Sequence, residues 1–205
     1  MKTVVEEIPG EQDGRFNDVI ADPEGRVFCG IVNGKDSNLG CLYRLDIDGS
    51  VEKVIDSGIG CANGLGFTPD RKQMYFTDSP ALNIYIFDYD QATGAISNQR
   101  VFVNIPEGEG VPDGMTVDAN GEVWSARWDG NCLVHYAADG AEKQRVEFPA
   151  KKVSSVIFGG DDYTDMYVTT AGGNTKEADG EQAGGLFRVN LGVQGVPEFV
   201  SRIAL

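Results

Sequence analysis

The amino-acid sequence predicts an all-β protein made of repeated four-stranded units, the architecture of a β-propeller. Four segments align with one another, beginning at Asn17, Asn63, Asp113 and Ser154. The unit therefore recurs roughly every 40 to 50 residues, which is the spacing of propeller blades. The chain also holds 27 glycines in 205 residues, and short strands joined by tight turns require such residues.

Each unit has the pattern of two successive hairpins. The first half has an apolar stretch, a turn rich in Gly, Pro, Asp or Asn, and a second apolar or aromatic stretch. The second half alternates apolar and polar residues and begins at Leu42, Asn83, Cys132 or Gly185. No segment has the period of an amphipathic helix, and the stretch Ala171–Gly185 is predicted to be an exposed loop.

The composition favours a cation-binding protein over a nucleic-acid or membrane-surface protein. Its hydrophobic content of 41% is ordinary for a globular protein, whereas its formal net charge of -15 repels phosphate backbones and anionic lipids. The segment Met1–Gly10 has no apolar run of the length that a signal peptide or membrane helix needs, so we expect a cytoplasmic location. The four cysteines lack zinc-site spacing and are expected to be reduced thiols.

The register of the repeat predicts a site on the propeller axis. The innermost strand of each blade lines the central channel, so the first residues of the four aligned segments converge there. Among them, Asn63 offers an amide oxygen and Asp113 a carboxylate, and each is followed by glycine. Oxygen donors of this kind suit a hard cation such as Ca²⁺.

Five strings in the chain closely resemble the regucalcin and gluconolactonase family, also called senescence marker protein and luciferin-regenerating enzyme-like. They are R-F-N-D at Arg15–Asp18, N-G-L-G-F at Asn63–Phe67, P-D-G-M-T-V-D at Pro112–Asp118, F-G-G-D-D-Y-T-D-M-Y-V-T at Phe158–Thr169 and A-G-G-L-F at Ala183–Phe187. They keep the family's order and spacing, and the resemblance extends from about Arg15 to the C-terminus.

This resemblance implies a six-bladed propeller that hydrolyses a sugar lactone of the gluconolactone type to the aldonic acid. It implies one divalent cation in the channel, with Asn63 and Asp113 as metal ligands and Asp113 also as the catalytic general base. Arg15 and Asn17 resemble the pair that contacts the lactone. Ca²⁺ is the first expectation, and Zn²⁺, Mg²⁺ and Mn²⁺ are the alternatives.

The chain departs from the family pattern at its start. Residues 1–205 are interpreted as a single propeller domain in which about four of six blades are present, and the family's first blades, with their glutamate ligand, have no counterpart. Three expectations stay open: a fragment of a longer product, a ring completed by oligomerisation that covers the open blade edges, or an open and inactive remnant. The corresponding functional alternative is a non-catalytic calcium-binding or interaction propeller; hydrolysis of another ester or lactone is a third.

The remaining polar residues are assigned structural roles. His135 is the only histidine, so a serine-histidine triad or a multi-histidine zinc site has almost no material, and His135 is expected to be structural or on the surface. Ser154 is interpreted as a small channel residue. Turn chemistry explains the four aspartates that lie in inter-strand turns, which are Asp22, Asp70, Asp118 and Asp161.

Overall fold

A computed structural model describes residues 3–36 and 38–203. Met1 and Lys2, the first two residues of the segment Met1–Gly10, lie outside the described residues. Within these described ranges, fifteen strands form four antiparallel sheets, and the strands of each sheet are hydrogen-bonded in chain order. Each sheet is called a blade.

Blade 1 contains β1 (Gly14–Ala21), β2 (Val27–Asn33), β3 (Gly40–Leu45) and β4 (Val51–Ile59). Blade 2 contains β5 (Ala62–Phe67), β6 (Gln73–Asp78), β7 (Asn83–Tyr89) and β8 (Ile96–Asn104). Blade 3 contains β9 (Val111–Val117), β10 (Val123–Trp128), β11 (Cys132–Tyr136) and β12 (Glu142–Glu147). Blade 4 contains β13 (Val153–Gly159), β14 (Asp165–Thr170) and β15 (Leu186–Asn190).

The first strand of every blade lies on the inside of the molecule. Strand β1 contacts β5, β5 contacts β9, and β9 contacts β13, so the four inner strands follow one another around a common axis. The all-β propeller architecture with four blades, predicted from the sequence repeat, is confirmed, although blade 4 has three strands rather than four among the described residues. The aligned residues of the four repeats all lie in these inner strands.

The core is divided among the spaces between neighbouring blades. Blades 1 and 2 enclose a cluster that includes Phe28, Leu42 and Phe76, each fully buried. Corresponding clusters lie between blades 2 and 3, around Tyr75 and Met115, and between blades 3 and 4. Since burying one large apolar side chain contributes about 1.5–3 kcal/mol, this packing of blade against blade holds the inner strands in place.

The chain segment after β15 crosses the ends of the inner strands. The backbone of Gly195 pairs with Asp118, the Phe199 ring packs on Phe67, and the Arg202 N–H donates to the Gly25 carbonyl at 2.8 Å. These contacts lie at the carboxyl ends of the inner strands. The aligned residues lie nearer the amino ends, and Glu198 and Phe199 of this segment line one cavity with Asp18 of β1.

The expectation for Ala171–Gly185 is corrected at one point. A four-residue helix, α1 (Lys176–Asp179), interrupts this otherwise mostly exposed loop, and its last residue is buried. Asp179 accepts hydrogen bonds from Lys152 and Thr175, which anchors the short turn to blade 4. The polar composition of this segment predicted a loop. The same polar side chains stabilise the short helix through hydrogen bonds, so no apolar helix face was there to predict it.

All four cysteines are free thiols, as the sequence predicted. Within the described residues, no helix has the length and apolar character needed to cross a membrane.

Candidate functional site

Every inner strand carries a β-bulge at the start of its aligned segment. In β1, Asn17 and Asp18 together face the single residue Gly30 of β2. In β9, Asp113 and Gly114 together face Ala126 of β10. A bulge bends the strand and re-aims the side chains at that point.

The same irregularity occurs between Asn63 and Leu65 in β5 and between Val153 and Ser155 in β13. The sequence repeat is therefore a repeat of bulges at one level of the channel. This geometry gives the ligand-type residues their common orientation.

The glycine after each candidate metal ligand allows the inner strands to approach closely. A Cβ atom on Gly64 would lie 2.6 Å from the Asp113 carbonyl oxygen, and one on Gly114 would lie 2.4 Å from Ser155 Oγ. Both distances are too short for real carbon contacts. The strings N-G and D-G therefore have a packing reason as well as a turn-forming tendency, and they bring blades 2, 3 and 4 together beside Asn63 and Asp113.

Arg15, Asn17 and Asn63 form one directional hydrogen-bond chain. Arg15 Nη1 donates to Asn17 Oδ1 at 2.6 Å, which turns the Asn17 amide nitrogen toward blade 2. Asn17 Nδ2 then donates to Asn63 Oδ1 at 2.9 Å and to the Ala62 carbonyl at 2.8 Å. The structure thus brings together three of the four predicted site residues.

Ser79 continues this chain toward blade 3. Its hydroxyl donates to the Pro112 carbonyl at 2.6 Å, so its oxygen accepts from Asn63 Nδ2 at 2.8 Å. A carbonyl only accepts, and this fixes the direction of both bonds. The Asn63 amide oxygen is consequently held on the side away from Ser79. Sequence reasoning missed Ser79, because a serine one residue beyond β6 carries no motif of its own.

Asp113 follows Pro112 directly and is half-buried. Burial, together with the negative charge of Asp18, raises the pKa of the Asp113 carboxyl to about 7, against the opposing hydrogen bond from the Gly114 N–H. Such a carboxyl changes its charge near neutral pH, which is suitable for a group that exchanges protons.

Asp18 is a second carboxylate of the same region. It is half-buried, it accepts a hydrogen bond from the Val19 N–H at 2.9 Å, and burial raises its pKa. Neither Asp18 nor Asp113 takes part in an ion pair with another described residue. Asp18 belongs to the string R-F-N-D, but the sequence analysis predicted no role for it. Its position in the repeat distinguishes it, because the equivalent residues of blades 2 and 3 are glycines.

The loop that presents Asn63 is fixed by Asp78. Its carboxylate accepts hydrogen bonds from the backbone N–H groups of Gly60 and Cys61, at 3.0 and 3.2 Å. Ser154, interpreted from the sequence as a small channel residue, lies at the bulge of β13 and its hydroxyl is 2.9 Å from that of Thr169. The first contact is a brace for the site, and the second links β13 to β14.

A separate cluster of ligand-type atoms lies at the other end of blade 3. Asp118, Glu122 and His135 each offer one such atom, all within 4.8 Å of one another, so they could hold a metal ion. His135 Nε2 is 2.8 Å from Glu122 and 3.6 Å from Asp118, and its ring stacks on Trp124. Burial lowers the pKa of His135, which favours the neutral ring.

Blade 1 has a corresponding arrangement without a histidine. Asp22 accepts the N–H groups of its own turn and also bonds Arg26 and Tyr89, while Asp118 accepts the N–H groups of its turn and bonds Trp124. The turn role predicted for Asp22 and Asp118 is confirmed by these bonds. His135 is buried and stacked on Trp124, and its structural role stays a prediction.

Comparison with known proteins identifies the family. A family model described as SMP-30/Gluconolactonase/LRE-like region matches residues 1–172. Pentonolactonase XacC of Haloferax volcanii is 51% identical over 198 residues, covering 93% of this chain and 67% of that protein.

Two solved structures have the same fold. A luciferin-regenerating enzyme gives a TM-score of 0.87 at 33% identity, covering 97% of this chain and 69% of the other. A calcium-binding protein, regucalcin from Agrobacterium tumefaciens, gives 0.86 at 28% identity, covering 93% and 65%. The chain spans about two thirds of the length of these relatives. On the match to residues 1–172 and the 51% identity, the chain belongs to the SMP-30/gluconolactonase/LRE-like family.

Proposed function

We propose that this chain hydrolyses a sugar lactone to its aldonic acid, with one divalent cation bound beside Asn63 and Asp113. The observation that carries the proposal is the arrangement of these two residues at matching bulges of neighbouring inner strands. The substrate class is supported by the name of the Haloferax relative, a pentonolactonase, and by the family description, which includes gluconolactonase.

The residues present fit a hard cation. The donors are oxygens: the Asn63 amide oxygen, held in place through Ser79, and the Asp113 carboxylate. Calcium takes about 6–8 oxygen ligands, so carbonyl groups or water would complete the shell. Ca²⁺ is the first candidate, and the Agrobacterium regucalcin, which is described as calcium-binding, supports this choice. When bound, the cation supplies Lewis acidity at the lactone carbonyl.

Arg15 and Asn17 are proposed to bind the sugar. Arg15 is exposed, and its guanidinium carries five donors of which few are used. Asn17 is held by Arg15 on one side and by blade 2 on the other, so its position is defined before a ligand arrives. Directed donors of this kind match the ring and hydroxyl oxygens of a lactone.

Asp113 is proposed to be the general base. In its ionised form it takes a proton from the attacking water while the water oxygen forms a bond to the lactone carbonyl carbon. The ester bond to the ring oxygen then breaks, and the proton passes to that oxygen, giving a hydroxyl group and a free carboxyl group. The raised pKa of Asp113 belongs to the cation-free protein, and a bound cation would instead favour the ionised carboxylate that accepts the proton.

A pH-stat assay tests this proposal. The purified chain is given glucono- and pentonolactones with Ca²⁺ or with EDTA, and the variants Asn63→Ala and Asp113→Ala are compared with Asp161→Ala, an exposed turn residue, as the control. We expect turnover that EDTA abolishes and that only the two site variants lose while staying folded. Turnover insensitive to EDTA, or full activity of Asp113→Ala, contradicts the proposal.

A second candidate is calcium binding without catalysis. The description of the Agrobacterium relative as a calcium-binding protein favours it. It predicts that the chain binds Ca²⁺ by calorimetry, that Asp113→Ala abolishes binding, and that no lactone in the panel is hydrolysed above the uncatalysed rate.

A further inference from the structure

Asp18 directly follows the aligned residue Asn17 in the β1 bulge, and it is the acidic residue among the four residues at this position of the inner strands. Blades 2 and 3 have Gly64 and Gly114 there, and blade 4 has Ser155. The two glycines leave no room for a side chain, whereas blade 1 places a carboxylate at the same level. Packing therefore does not require an acidic residue at this position, since a small residue satisfies it elsewhere in the molecule.

The charge of Asp18 has no partner among the described side chains. Arg15, three residues before it, makes no ion pair with Asp18, and its Nη1 donates to Asn17 and to the Phe16 carbonyl. The Val19 N–H is the hydrogen-bond donor to the Asp18 carboxylate. A carboxylate that is partly withdrawn from water and lacks a cationic partner is stabilised when a cation binds beside it, because burial removes part of the hydration of its charge.

Asp18 also lies on the channel side of the sheet. Together with Leu65, Met115 and Ser155, from the other three inner strands, it lines a cavity of about 370 Å³. Glu198, from the segment after β15, lines the same cavity, and the negative charge of Asp18 contributes to the raised pKa of Asp113. Two unpaired carboxylates that repel one another form a region of negative potential, which a divalent cation would neutralise.

We propose that Asp18 is the second anionic group of the cation site and shares with Asp113 the neutralisation of a divalent charge. This inference rests on the proposed function, because it concerns the same site. The affinity of oxygen-ligand sites for Ca²⁺ depends on how many negative charges they contain, so loss of Asp18 lowers affinity even though the amide and the other carboxylate remain. Asp18 would thereby determine whether the site is filled at ordinary calcium concentrations.

Calorimetric titration with CaCl₂ tests the proposal on the full chain. The variants are Asp18→Asn, which keeps the shape, and Asp18→Ser, the residue type that blade 4 uses at this position. Asp113→Asn is the positive control, and Asp161→Asn, an exposed turn residue, removes an equal charge elsewhere. Thermal unfolding in EDTA accompanies each titration.

We expect both Asp18 variants to raise the Kd for Ca²⁺ by about tenfold or more, while Asp161→Asn leaves it unchanged. In EDTA the same variants should melt at or above the temperature of the parent, because a repulsion with Asp113 is removed. A purely structural role for Asp18 would lower that temperature, so an Asp18 variant that is less stable or unfolded in EDTA contradicts the proposal.

The remaining outcomes separate this inference from the function on which it rests. If Asp113→Asn loses Ca²⁺ and both Asp18 variants bind like the parent, Asp18 is not part of the site although the site itself stands. If the parent does not bind Ca²⁺, or Asp113→Asn binds it equally well, the proposed function fails together with this inference.

Discussion

Asn17 and Asn63 are joined side chain to side chain across the boundary between blades 1 and 2, with 2.9 Å between Nδ2 and Oδ1. The residue proposed to bind the sugar thus holds the oxygen proposed to bind the cation. Through Arg15 on one side and Ser79 on the other, one chain of hydrogen bonds passes through three blades. The orientation of the site therefore depends on residues that need not touch the cation.

Replacing Ser79 by alanine should loosen the site without removing a ligand. Ser79 is buried, and its loss removes one hydrogen bond from the Pro112 carbonyl and leaves Asn63 Nδ2 with only a long 3.8 Å contact to Cys61 Sγ on that side. We expect the free energy of unfolding to fall by about 1–3 kcal/mol and the Kd for Ca²⁺ to rise. Urea unfolding and calorimetry measure the two effects.

Threonine at position 79 is the matched control, because it keeps the hydroxyl. If Ser79→Ala binds Ca²⁺ as tightly as the threonine variant, the Asn63 amide does not need this bond for its orientation.

The raised pKa of Asp113 gives the cation-free protein a definite pH dependence. The ordinary value is 3.8 and the folded-state value is about 7, so between these values the folded state binds more protons than the unfolded state. The contribution of this group to stability is therefore fully present at acidic pH and is lost as the pH rises toward 7. In EDTA, urea unfolding across this range should show a decline that Asp113→Asn reduces.

Calcium should reverse this trend, because the cation binds the ionised carboxylate and competes with the proton. The measured Kd should fall as the pH rises through 7 and then level off. A Kd that is constant across this range would show that Asp113 is already ionised in the cation-free protein.

The repeat, the inner strands and the equivalent positions of Asn63 and Asp113 could be predicted from the sequence because they recur periodically, whereas the metal-binding role of the two residues stays a prediction. Strand alternation and turn residues recur in each blade, and the aligned first residues all fall at bulges. A one-dimensional repeat is sufficient for such predictions, since equivalent residues occupy equivalent places in space.

The supporting residues could not be predicted in the same way. Ser79 lies 16 residues from Asn63 in the chain, and its role depends on the carbonyl of Pro112 in the next blade. Likewise, the effect of Asp18 on Asp113 exists only once β1 and β9 line the same channel. Such contacts join different repeats, and periodicity contains no information about them.

Gly64 should not accept a side chain. A Cβ at this position would lie 2.6 Å from the Asp113 carbonyl oxygen and 2.8 Å from the Met115 nitrogen, both of them backbone atoms. We expect Gly64→Ala to separate β5 from β9, to lower the free energy of unfolding by about 1–3 kcal/mol and to weaken Ca²⁺ binding.

The control for this substitution is Gly173→Ala, where the nearest atom would be an ordinary 3.6 Å away. Equal unfolding free energies for the two variants would show that the inner strands adjust to the added methyl group.

Replacing His135 by phenylalanine should test the second cluster. Phenylalanine keeps a flat ring against Trp124 but loses the 2.8 Å contact with Glu122. If the cluster is structural, the free energy of unfolding should fall by about 1–2 kcal/mol. Lactone turnover and Ca²⁺ affinity should match those of the parent, because Asp118 still accepts the N–H groups of its turn and blade 3 keeps its shape. Metal analysis of the purified proteins completes the test: the loss of one bound metal per chain in His135→Phe would instead identify Asp118, Glu122 and His135 as a metal centre.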